Sequence, residues 1–87
     1  MGYRVVFKVS AERELGAIHP RDRARVFARI EALSDDPRPH GSEKVAGAER
    51  EYRVRAGDYR VICSVDDAAR LVTIQKVGHR GDVYRRK

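Results

Sequence analysis

Tyr3 to Val9 nearly alternates, with Tyr3, Val5, Phe7 and Val9 on one side and Arg4, Val6 and Lys8 on the other. That period of two predicts a half-buried strand. From Ser10 the spacing lengthens. Ser10 is placed to cap a short helix, Glu12 and Glu14 suit its first turn, and Ala11, Leu15 and Ile18 form its apolar stripe. Carboxylates are favoured there because they meet the positive end of the helix dipole. The helix is expected to end near His19-Pro20. Pro20 suits the first turn of a second helix, where its missing N–H costs nothing. Val26, Phe27, Ile30 and Leu33 recur at helical spacing as one apolar side, opposite Arg21, Arg23, Arg25 and Arg29. Asp35-Asp36-Pro37-Arg38-Pro39 ends this helix. Two short helices joined tightly form an αα-hairpin.

From about Lys44 the period returns to two. Strands are predicted over Glu51–Ala56, Tyr59–Val65 and Leu71–Val77, with turns at Gly57-Asp58 and Asp66-Asp67. The order βααβββ reads as α+β: a small antiparallel meander packed against an N-terminal helical hairpin. The 87 residues are expected to form one domain, 1–87, with a thin core. There are no repeats, linkers or low-complexity stretches.

Composition narrows the class. Hydrophobic residues make up 41% and charged residues 37%, too apolar for a disordered tail. No apolar run nears the roughly 20 residues of a membrane span, and the first residues alternate instead of forming a signal-peptide core. Met1-Gly2 is followed by Val6 where a myristoylation motif wants Ser or Thr. One cysteine excludes an internal disulfide framework and fits a reducing cytoplasm. His19, His40, His79 and Cys63 lack ligand-like spacing, so neither a metal nor any other cofactor is expected. Cys63 reads as a small buried hydrophobe, not a nucleophile.

The formal charge is +6, and fifteen of the nineteen basic residues are arginines. Residues 50–87 hold a net +5 and residues 1–49 only +1. In the hairpin Tyr52–Val61, a two- or four-residue loop sets Val54 opposite Val61 and Arg55 opposite Arg60. Tyr52, Val54, Val61 and Cys63 then point to the core, and Arg53, Arg55 and Arg60 share the other face. Like charges directly across a strand pair destabilise it. Three arginines there make sense if an anion or an acidic partner sits over them, though Asp58 and Glu51 are near enough in sequence to offset part of the charge. His79 and Arg80 follow the last strand. Tyr84 could anchor the tail or stack on a base. Lys44 and Arg50 near the sheet entrance are candidates for RNA contact or simply solvated charges.

The segments Tyr52–Val65, YRVRAGDYRVICSV, and Val77–Tyr84, VGHRGDVY, resemble the RelE branch of the RelE/ParE superfamily of type II toxin–antitoxin toxins. The YRVVF strand, the helical hairpin and the chain length fit the same pattern. The resemblance implies a metal-independent, ribosome-dependent mRNA endoribonuclease of the cytoplasm that works in the A site of the 70S ribosome. The RNA's own 2′-OH would attack, displacing the 5′-oxygen and leaving a cyclic phosphate. It assigns catalysis to Arg60, Arg80 and Tyr84, and RNA binding to Arg53 and Arg55. His79 is a further candidate for proton transfer. Arg53 and Arg55 stand where the best-known ribosome-dependent members carry lysine, and arginine clamps phosphate but does not exchange protons near neutral pH. The resemblance also implies a cognate antitoxin that masks the basic face, with no membrane partner and no small-molecule cofactor. The alternatives left open are a ParE-like gyrase inhibitor and a non-catalytic or decayed RNA-binding toxin.

Overall fold

The computed structural model describes residues 2–79. Strand β1 (Arg4–Phe7) leads into helices α1 (Val9–Gly16) and α2 (Pro20–Ala32). Strands β2 (Glu43–Lys44), β3 (Glu51–Ala56), β4 (Tyr59–Asp66) and β5 (Leu71–His79) follow. They form one sheet in the order β1-β5-β4-β3-β2. β3, β4 and β5 form the expected antiparallel meander, and β2, a two-residue strand not predicted from the sequence, extends it beyond β3. The sheet as a whole is mixed, because β1 lies parallel to β5, with Val5 beside Val72 and Phe7 beside Ile74. The helical hairpin between β1 and the meander supplies the crossover that a parallel neighbour requires.

The first strand is shorter than its alternation predicts. It stops at Phe7, and Val9 opens α1 with 69% of its surface exposed. Lys8 is the pivot. Its N–H donates to the Ile74 carbonyl at 3.0 Å, while its own carbonyl accepts from Glu12 N–H at 3.0 Å. Lys8, not Ser10, is therefore the N-cap, and it caps through its extended backbone (ψ 150°) without a side-chain bond. At α2 the cap is His19, whose Nδ1 accepts from Arg21 N–H at 3.1 Å, and Pro20 takes the first helical position.

Ala11, Leu15, Ile18, Val26, Ile30 and Leu33 of the helical layer meet Val54, Val61, Cys63, Val72 and Ile74 of the sheet in one core. Phe27 departs from its expected place on the apolar side: it is 42% exposed and lines a hollow of about 480 Å³ with Val5, Phe7 and Ile30. Burial pushes the Cys63 thiol up to about 11, which suppresses the thiolate and fits the reading of Cys63 as a hydrophobe. Among the described residues, no helix is long and apolar enough to cross a membrane.

Glu14 joins α1 to β5. Its carboxylate accepts from Val77 N–H at 2.8 Å and lies 3.5 Å from Lys76 Nζ. β1 ends at Phe7, opposite Ile74, so the rest of β5 has no strand on that side and Glu14 supplies an acceptor instead. Removing one partner of a charge-assisted bond leaves the other group desolvated and unmatched. Glu14→Ala is expected to lower unfolding free energy by about 1–2 kcal/mol in urea titrations. An unchanged midpoint would exclude Glu14 as a structural acceptor.

Candidate anion-binding site

The β3–β4 hairpin has the register read from its sequence: Val54 pairs with Val61, Arg55 with Arg60 and Tyr52 with Cys63. Gly57-Asp58 is a two-residue loop, with Gly57 at φ +64°, a conformation glycine adopts without strain. A Cβ on Gly57 would also stand 2.7 Å from Arg25 Nη1, so α2 lies close against this turn. Val54 and Val61 are essentially fully buried. Their burial fixes the parity and sends Arg53, Arg55 and Arg60 to the opposite face.

Those three arginines line a groove of about 450 Å³ together with Arg29, His40, Gly41 and Glu43. Four guanidinium groups thus face one carboxylate. Each is held by its own element. Arg29 Nε on α2 donates to the Arg55 carbonyl at 3.1 Å, at the end of β3 that β2 does not reach. Arg60 Nη1 donates to the carbonyls of Tyr59 at 3.1 Å and Gly57 at 3.2 Å. Gly78 is the cross-strand partner of Arg60, so no side chain fills the space opposite it. Glu43, paired with Arg53 across the β2–β3 ladder, accepts from Arg53 Nη2 at 2.7 Å. The Arg55–Arg60 pair costs about 0.2–1 kcal/mol of sheet stability, a cost that an anion over the groove offsets. Planar guanidinium forks suit phosphate, which they bind in a bidentate way.

The other described residues singled out in the sequence lie elsewhere. His79 pairs with Tyr59, their rings edge-to-face at 5.6 Å, and it is not among the groove residues. Successive residues of a strand face opposite ways, so Tyr59 and His79 stand on the other face from Arg60. Lys44 borders a separate shallow hollow with Val45 and Glu49. Arg50 faces Asp66 at 3.8 Å, in a third hollow with Arg38 and Tyr52. Arg80 and Tyr84 lie outside the described residues. Conversely, Arg29, His40 and Glu43 enter the groove without having been singled out as its members. The available signals were Arg25 and Arg29 one helical turn apart, and the turn-forming Pro39-His40-Gly41-Ser42.

Comparison with known proteins agrees with this fold. Residues 5–84 match the family described as ParE toxin of the type II toxin–antitoxin system, parDE. The chain belongs to this family of toxins, and within the RelE/ParE superfamily it falls on the RelE side. It is 37% identical to Toxin RelG of Mycobacterium tuberculosis, over 99% of this chain and all of that protein. Its fold matches the toxin–antitoxin complex RelBE2 of M. tuberculosis with a TM-score of 0.81 at 30% identity, covering 94% of this chain and 95% of that one. The archaeal RelE–RelB complex of Pyrococcus horikoshii gives 0.78 at 29% identity, covering 93% and 98%.

The groove's electrostatics are measurable through Glu43. Its hydrogen bond to Arg53, then the charge of Arg53, with smaller help from Arg55 and Arg60, hold its carboxyl below the ordinary 4.5. A depressed folded-state value means the contribution to stability is present above 4.5 and is lost as pH falls through the lowered value. An NMR titration of the Glu43 side chain should give a midpoint below 4.5 that returns toward it in Arg53→Gln. A midpoint indifferent to that substitution would exclude the pairing in solution.

Proposed function

We propose that this toxin is a ribosome-dependent mRNA endoribonuclease whose scissile phosphate lies over the arginine groove. The observation that carries the reading is the convergence of Arg53, Arg55 and Arg60 with Arg29 on one face of a register-locked hairpin. Like-charged residues brought together at a cost to stability are best explained by a polyanion. The relatives carrying RelE names favour RNA over a protein target.

In this mechanism the RNA 2′-OH attacks the adjacent phosphorus and the 5′-oxygen leaves, giving a 2′,3′-cyclic phosphate and a 5′-hydroxyl. Arg60 stabilises the charge that builds on the phosphoryl oxygens, and the two carbonyls it binds hold it ready for that role. Arg53 and Arg55 clamp flanking phosphates. Arg80 is assigned a second share of the phosphoryl charge, and Tyr84 a contact to a base or to the leaving oxygen. The ribosome orients the 2′-OH for in-line attack, work worth several orders of magnitude in rate. An antitoxin covers the groove between rounds of toxicity, since the relatives of known structure include toxin–antitoxin complexes. Acidic side chains would complement the groove's excess of arginine over carboxylate.

Primer extension on a defined mRNA, with and without programmed 70S ribosomes, tests the reading. Cuts are expected only with ribosomes, and Arg60→Ala should slow them about 10²–10³-fold. Intact mRNA in the presence of ribosomes would overturn the proposal. Inhibition of gyrase supercoiling by the same preparation would instead support the alternative of a ParE-like gyrase inhibitor.

A further inference from the structure

We infer that His40 is the proton-transfer residue of the groove, a catalytic residue for the RNA cleavage proposed above, on which this inference rests. The cations supplied to the groove are Arg29 from α2, Arg53 and Arg55 from β3, and Arg60 from β4. Guanidinium groups hold charge but do not exchange protons near neutral pH. Among the described residues, the lining groups able to do so are His40 and Glu43. Glu43 is committed to Arg53 at 2.7 Å and is held in its charged form, which makes it a weaker base. That leaves the imidazole, the side chain best suited to take and return a proton near neutral pH.

The loop that carries His40 is built to hold it over the groove. Ser42 N–H donates to the Pro39 carbonyl at 2.9 Å, closing a β-turn with His40 at its second position and Gly41 at its third. Gly41 has φ +92°, as the third position of a type II turn requires. Both flanks are tied down. On one side Arg38 donates to Asp67 at 2.7 Å and lies 5.3 Å from the centre of the Tyr52 ring. On the other, Glu43 enters the β2–β3 ladder opposite Arg53. His40 itself is exposed, so its imidazole faces the space a bound RNA would fill and contributes nothing to the core. His79 is exposed too, but it stands against Tyr59 across the β4–β5 ladder and is not among the groove residues.

In the step assigned to it, His40 takes the 2′-OH proton as the O2′–P bond forms and the P–O5′ bond breaks. The departing O5′ takes its proton from solvent water, and the imidazolium gives its proton to the hydroxide that remains. Nothing is oxidised or reduced, and no further reactant is consumed.

The test is single-turnover cleavage on programmed ribosomes across a pH series, with binding measured separately, for the wild type, His40→Ala, His40→Gln and Arg60→Ala. Both His40 variants are expected to bind ribosomes as the wild type does and to cleave at least about 10²-fold more slowly. They should also change the pH dependence of the cleavage rate relative to the wild type. Added free imidazole should restore part of the rate in His40→Ala. A His40→Ala variant that cleaves at the wild-type rate, while Arg60→Ala does not, would overturn the role of His40 and leave the nuclease reading intact. So would a variant that loses binding and cleavage together without rescue, since His40 would then be a contact residue. A wild type that binds ribosomes and cuts nothing would remove the nuclease reading and this inference with it.

Discussion

The molecule is organised by the parity of one hairpin. Val54 and Val61 are buried in the one core that the helices and the sheet share, and a core as thin as that of an 87-residue chain cannot give up two such side chains. With both buried, Arg55 and Arg60 have no choice of face. A slip of one residue would bury guanidinium groups and expose the valines, an exchange far costlier than the repulsion between neighbouring arginines. The core therefore supplies the work that holds like charges together. In a chain without that constraint, the arginines would relax apart into solvent.

The rest of the fold serves the same end. Gly78 leaves open the space across from Arg60. Arg25 and Arg29 of α2 lie against the hairpin, one at the Gly57 turn and one on the Arg55 carbonyl. β2 is only two residues long, yet it binds Glu43 to Arg53 and so fixes the end of the loop that carries His40. Even the Tyr3–Asp67–Arg38 cluster, far from the hairpin turn, anchors the start of that loop, with bonds of 2.6 and 2.7 Å. Individually such exposed polar contacts contribute little to stability. Their effect here is positional, since each removes freedom from a backbone that bears a groove residue.

How much of this the sequence foretold depended on how local the determining physics was. The hairpin register was readable because period-two patterning and a Gly-Asp turn both act over a few residues, and β3 was predicted to the residue. The apolar stripes of α1 and α2 were readable for the same reason, apart from Phe27. The parallel pairing of β1 with β5 was not, since it joins positions some 67 residues apart and the alternation of β1 is indifferent to partner direction. Lys8 as a cap was hidden because the backbone alone caps that helix. The position of His79 against Tyr59 was not readable, because adjacency to Arg80 in sequence says nothing about which face a strand residue takes. Arg29 and His40 were overlooked as groove members because a helix, a loop and a hairpin converge there only in three dimensions.

The groove's composition has a consequence for how catalysis must be shared. Arginine holds its charge throughout the physiological pH range, so a site built from it is permanently ready to receive a phosphate but does not move protons. A lysine-based site can do both when its ammonium is desolvated, and there the two roles are inseparable by mutation. On the proposed reading, arginine rather than lysine at positions 53 and 55 separates them: the clamp would be pH-independent, and proton transfer would fall to a different kind of side chain. A titratable group on a tethered loop at the rim meets that requirement without weakening the clamp. Such a group would also stand where an antitoxin covering the groove meets it, so that binding of the antitoxin would withhold the phosphate site and the proton-transfer group in one step.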